Sequence, residues 1–65
     1  MNRRFRVKQK PGRSGKLFWG VFDRARRLFY PLGQRRLAEE TAYFLKSDPD
    51  RAINYNGWPI KKGTP

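Results

Sequence analysis

From Leu17 to Phe22 the chain reads Leu-Phe-Trp-Gly-Val-Phe, a short apolar run rich in strand formers, with Gly15 before it and Asp23 after it. Its length and composition predict a β-strand. Side chains alternate faces along a strand, so Leu17, Trp19 and Val21 share one face while Phe18, Gly20 and Phe22 share the other. Both faces are apolar. Whatever this chain folds into must therefore cover a central strand on two sides or leave rings open to a partner.

A second run, Leu28 to Tyr30, follows the polar stretch Asp23 to Arg26 and is stopped by Pro31, Leu32 and Gly33. The pair predicts a hairpin. With Arg24 and Ala25 at the tip, Val21 pairs with Leu28 and Trp19 with Tyr30, which places Leu17, Trp19, Val21, Leu28 and Tyr30 on one face. The opposite face then shows Phe18, Phe22, Arg27 and Phe29. A loop of odd length would exchange the two faces. A central strand buried on both sides, with the C-terminal tail as cover, is the competing picture.

Upstream, Arg4, Arg6, Lys8 and Lys10 alternate with Phe5, Val7 and Gln9. Such alternation from Arg3 to Lys10 predicts a third strand that sends Phe5 and Val7 into the core and leaves a row of cations outside. A basic arm without fixed structure is the alternative for this segment. Pro11, Gly12, Ser14 and Gly15 then mark a loop, in which Gly12 and Gly15 offer unobstructed backbone N–H groups near Lys10, Arg13 and Lys16, a setting that suits a phosphate. The spacing of a nucleotide-binding P-loop is absent.

Gln34 to Lys46 has helical periodicity, with Phe44, Leu37, Thr41, Leu45, Ala38 and Ala42 on one arc and Arg36, Glu39, Glu40 and Lys46 outside it. Tyr43 points away from the arc. Gly33 is the only plausible cap, and Arg35 and Arg36 occupy the first turn, where the helix dipole disfavours cations. Either a phosphate sits there, or Arg35 pairs with Glu39 and Arg36 with Glu40 at i,i+4 spacing. Ser47, Asp48 and Pro49 end the helix, and Asp48 with Pro49 can start one further turn over residues 50–53. The expected fold is α+β, a small three-stranded antiparallel sheet packed on one C-terminal helix (β-β-β-α) within residues 1–53. Residues 54–65 form a tail in which Trp58 and Ile60 are apolar enough to fold back over an edge or face of the sheet, or to anchor a partner.

Composition narrows the function. The 65 residues include five Phe, three Tyr and two Trp but no Cys or His. Rings supply the core of so small a domain, and disulfides, thiolate metal sites and the usual zinc constellations are excluded. No cofactor or metal is expected. The five carboxylates show no spacing that suggests an acid/base pair, so a non-enzymatic protein is expected. No run is long enough for a membrane span or signal-peptide core, and an intracellular setting is expected. The net charge is +11, and residues 1–36 hold 12 basic residues against the single acid Asp23, while residues 37–65 hold four of each sign. Such a one-sided field attracts polyanions, of which nucleic acid is the most abundant in a cell.

The order Arg4–Lys8, Lys16–Phe22, Arg27–Tyr30 and Arg35–Leu45, about two-thirds of the chain, resembles the arm-type DNA-binding domains of phage integrases and the related plant AP2-type domains. The resemblance rests on topology and charge, and no catalytic domain follows within the 65 residues. It implies that the exposed sheet face enters the major groove, with contacts from Arg4, Arg6, Lys8 and Arg27. The chain is also similar to small strand-strand-helix proteins of phage genomes, some of which bind host proteins. Together these readings predict a duplex-DNA-binding module that uses Arg4, Arg6, Lys8, Arg13, Lys16, Arg27, Arg35 and Arg36 with Phe18 and Phe22. A small adaptor or inhibitor of an acidic host protein, and a structured-RNA or ribosome binder, are the alternatives.

Overall fold

The computed structural model describes residues 4–60; the expected strand start at Arg3 and the basic end containing Lys61 and Lys62 lie outside them. Strands β1 (Phe5–Pro11), β2 (Leu17–Asp23) and β3 (Leu28–Pro31) come first, followed by helix α1 (Arg35–Ser47), a 3-10 helix over Pro49–Asn54 and a two-residue strand β4 (Trp58–Pro59). All pairings are antiparallel and the spatial order is β1-β2-β3-β4. This is the expected β-β-β-α arrangement with a short fourth strand added.

The alternation of β1 works as its pattern dictates. Phe5 is buried and Val7 half-buried under α1, whereas Arg6 and Lys8 are exposed on the other side. The β2–β3 register differs by two residues from the expected one, with Val21 opposite Tyr30, Phe22 opposite Phe29 and Asp23 opposite Leu28. The cause is the Asp23 side chain, whose Oδ1 accepts the backbone N–H groups of Ala25 at 3.1 Å and Arg26 at 3.2 Å. The turn thereby takes residues 24–27, and β2 extends to Asp23 itself. An even shift preserves parity, so the faces stay as expected.

Helix α1 lies one residue later than expected at each end, and its N-cap is Gln34 with no side-chain cap bond, in place of Gly33. Gly33 turns the chain instead, at φ +88°, while its N–H bonds to the Trp19 carbonyl oxygen. Ala38, Thr41, Ala42 and Leu45 are buried, but Leu37 and Phe44, placed on the same arc by the helical wheel, remain 44% and 52% exposed. The two alanines let the helix settle close to the sheet along a narrow stripe, and larger side chains at the margin of the arc are left outside. Tyr43 is exposed, as expected. The core joins Phe5, Val21 and Tyr30 to Ala38, Ala42, Leu45 and Ala52, with Val7, Trp19, Leu28, Leu32 and Tyr55 against it. In the 3-10 helix Asp48 occupies the N-cap position, but its carboxylate pairs with Arg51 Nε at 3.3 Å and makes no cap bond. No helix among the described residues is long and apolar enough to cross a membrane.

Candidate functional site

Asp23 separates the structural cations from the rest. It ends β2 on the helix side of the sheet, fully buried, where Arg4 Nε donates to Oδ1 at 2.8 Å and a second Arg4 nitrogen donates to Oδ2 at 3.1 Å. Tyr30 Oη donates to Oδ2 at 2.5 Å, and Arg26 donates to the Ala52 carbonyl oxygen at 2.6 Å on the far side of the cluster. Burial raises the carboxyl, but the hydrogen bonds from Arg4, Tyr30 and the Arg26 backbone outweigh it and hold Asp23 below its ordinary range. Burial and the bond to that carboxylate push the Tyr30 phenol up to about 12. Arg4, expected among the DNA contacts, is thus tied into a partly buried ion pair with the buried Asp23, on the opposite side of the sheet from Arg6 and Lys8. Its position just before β1 lets it reach back over the end of β2, which parity alone does not reveal.

The face away from α1 carries Phe18, Phe22 and Phe29, and it is covered. Trp58, delivered by β4 opposite Phe29, meets the Phe18 ring edge-on with centroids 5.8 Å apart and lies tilted against Phe29 at 5.7 Å. Phe22 meets Phe29 edge-on at 5.5 Å. Phe29 is fully buried and passes over Gly20, where an added Cβ would meet its ring and the Tyr30 carbonyl oxygen. Phe18 and Phe22, expected to be open to bases, are therefore half-buried members of a second small cluster. The tail supplies its lid, through Trp58 and through an Ile60 N–H bond to the Arg27 carbonyl oxygen at 3.1 Å.

Cations rim this cluster. Arg6, Lys8 and Lys10 project from alternate positions of β1, a row about 13 Å long at strand spacing. Lys8 Nζ lies 4.9 Å from the Phe22 ring centroid, and Lys10 Nζ donates to the Pro59 carbonyl oxygen at 3.3 Å. At one end of the sheet the β1–β2 loop exposes Arg13 and Lys16; at the other the β2–β3 turn exposes Arg24 and Arg27. Among the described residues none of these seven has a carboxylate within ion-pair distance. The loop amides are a different matter. Gly12 N–H bonds to the Lys16 carbonyl oxygen at 2.8 Å and Gly15 N–H to that of Gly12 at 3.0 Å, so the amides expected to receive a phosphate close the turn instead.

Arg27 has φ +54°, the left-handed region that favours glycine. Arg35 and Arg36 pair with Glu39 at 2.9 Å and Glu40 at 3.4 Å, and the Arg35 guanidinium also lies 5.4 Å from the Trp19 ring centroid. The structure thus places Arg6 and Lys8 on one face of β1, Arg13 and Lys16 in the loop at one end of the sheet and Arg27 in the turn at the other, and sets Arg4, Arg35 and Arg36 apart in ion pairs. Lys10, part of the expected outward row, and Trp58, expected to fold back over an edge or face of the sheet, join that face although neither was among the predicted binding residues. Lys10 shares the parity of Arg6 and Lys8, and the apolar character of Trp58 in a polar tail was the available signal. No group of three or more potential metal-ligating side chains occurs among the described residues. No family model matches the chain, and neither a curated protein nor a solved structure matches it.

Proposed function

We propose that this chain is a non-enzymatic nucleic-acid-binding module that grips the phosphate backbone of duplex DNA with Arg6, Lys8 and Lys10 of β1 and with Arg13, Lys16 and Arg27 of the flanking turns. The observation that carries the reading is the sorting of charge. Asp23, Glu39, Glu40 and Asp48 are engaged by Arg4, Arg35, Arg36 and Arg51, while the cations around the Trp58 cluster have no such partner. A row of uncompensated cations is costly to hold together unless a polyanion neutralises it. The cluster itself favours duplex over single strand, because rings packed on one another offer little open π-face for successive bases. The left-handed Arg27 fits the same reading, since a cation occupies a turn position where glycine is more comfortable.

The test is fluorescence anisotropy of labelled random duplex DNA, with single-stranded DNA and structured RNA as competitors, across a salt series. Log K is expected to fall with log salt at about −0.9 per phosphate neutralised, with on the order of four to seven contacts. Absence of binding at low salt overturns the reading. A second reading, docking to a protein, is favoured by one specific observation: Leu37, Tyr43 and Phe44 stay exposed on α1, with the last two rings 6.0 Å apart. Binding through that apolar flank would survive high salt and would be lost in Phe44→Ala.

A further inference from the structure

Beside the tip of the β1–β2 hairpin is an open notch of about 500 Å³, lined among the described residues by Pro11, Gly12, Arg13 and Trp58. That volume lies within the range of small-ligand sites. The walls come from opposite ends of the chain, since β4 carries the indole to the loop that presents the guanidinium. Trp58 is half-buried, its ring meeting Phe18 and Phe29, and the same residue lines the notch. Arg13 is exposed and has no carboxylate partner among the described residues, and Lys10, one residue before Pro11, donates to the carbonyl oxygen of Pro59, next to Trp58. Gly12 keeps this corner narrow, because a Cβ there would meet the Phe18 ring at 2.6 Å.

The chemistry on display is one aromatic side chain, a proline and the Arg13 cation, with Lys10 adjoining Pro11. Planar apolar surface beside positive charge matches a nucleobase and its flanking phosphates, since bases stack on aromatic side chains while Lys and Arg take the backbone. An aliphatic ligand would leave both cations unused, and a free phosphate would leave the indole unused. A base inside a duplex cannot reach such a notch, because both of its faces are already stacked.

We infer that the Arg13–Trp58 notch holds one unpaired nucleotide adjoining the duplex, its base on Trp58 and its phosphates on Arg13 and Lys10. This rests on the duplex-binding reading and makes the preferred ligand a duplex with a single-stranded end or junction. Arg6 and Lys8 of β1 grip the paired part, and the notch selects the unpaired one.

The experiment compares three probes by anisotropy at fixed salt: a blunt duplex, the same duplex with a one-nucleotide overhang, and one whose overhanging residue is abasic. In parallel, the Trp19→Phe protein, in which Trp58 is the remaining tryptophan, reports directly on the notch by fluorescence. The overhang is expected to bind on the order of tenfold tighter than the blunt duplex and to quench Trp58, whereas the abasic overhang does neither. Arg13→Gln is expected to bring the overhanging and blunt duplexes to nearly equal affinity, while its lost phosphate contact lowers the salt slope of both by about 0.9. It is the decisive variant, since Trp58→Ala also uncovers Phe29. Equal binding of blunt and overhanging duplexes, with no quenching, overturns the notch and leaves the duplex reading standing; no binding of any probe at low salt overturns both.

Discussion

The two faces of the sheet are covered by different means. Under α1, close-packed small residues and one saturated polar cluster do the work, and the Asp23 carboxylate receives five hydrogen bonds from Arg4, Ala25, Arg26 and Tyr30. On the opposite face no helix is present among the described residues. Four rings, a two-residue strand and the side chains of Lys8 and Lys10 close the gap. On the first face four carboxylates are paired with arginines, whereas among the described residues the cations that rim the second have no carboxylate within ion-pair distance. The proposed function divides stability and interaction between the faces, so a change on one should be felt differently from a change on the other.

The largest effect is expected on the helix face. Asp23→Ala leaves the Arg4 guanidinium and the Tyr30 hydroxyl without their common acceptor, and breaking a buried pair costs roughly 3–5 kcal/mol. In so small a domain that should unfold much of the population, visible by near-UV circular dichroism and urea titration. The same cluster sets the pH response. Because the folded Asp23 carboxyl lies below its unfolded value near pH 4, its contribution is present above that pH and is lost as acid titrates the folded state. Tyr30 acts with the opposite sign, since its contribution is complete below about pH 10 and is lost as pH rises towards about 12. With no histidine, melting temperature should change little between pH 6 and pH 9 and fall on either side, and Tyr30→Phe should blunt the alkaline fall.

Next in size are changes to the ring cluster. Gly20→Ala places a methyl against the Tyr30 carbonyl oxygen and the Phe29 ring, and because backbone cannot yield as a side-chain tip does, a loss of about 3 kcal/mol is expected by denaturant titration. Trp58→Ala uncovers Phe18 and Phe29 and should cost about 2 kcal/mol, less than a core tryptophan because the ring is only half-buried. Retention of full stability in that variant would show that β4 is not the lid described above. The smallest effect has the opposite sign. Arg27→Gly relieves a left-handed non-glycine residue and should raise stability by up to about 1 kcal/mol, while the salt slope of DNA binding falls by about 0.9. A variant that is more stable and binds less would separate the two roles at a single residue.

How much of this could be read in advance differs by feature. The β1 alternation and the narrow α1 stripe are periodic, and periodicity survives without knowledge of contacts, so strands, helix and face assignments were legible. Register was not, because one side chain, Asp23, closes the turn on two backbone amides and then also anchors the core. A carboxylate at a strand end looks like punctuation in sequence, and only its distant partners Arg4 and Tyr30 reveal it as a buried group. The candidate site divides the same way. The β1 row was legible from parity, whereas the removal of Arg4 to Asp23, the closure of the Gly12 and Gly15 amides and the arrival of Trp58 beside Arg13 depend on contacts between segments far apart in the chain.

The most direct test of the division between faces keeps total charge constant and changes only where it is removed. Two double variants, Arg6→Gln with Lys8→Gln and Arg35→Gln with Arg36→Gln, each lose two positive charges, the first from the β1 row and the second from arginines already paired on α1. The salt dependence of duplex-DNA binding is then measured for both beside the parent protein. The β1 pair should lower the slope by about 1.8, and the helix pair should leave it nearly unchanged. Equal losses in the two variants, or binding indifferent to salt, would mean that the uncompensated cations of the sheet are not the binding surface.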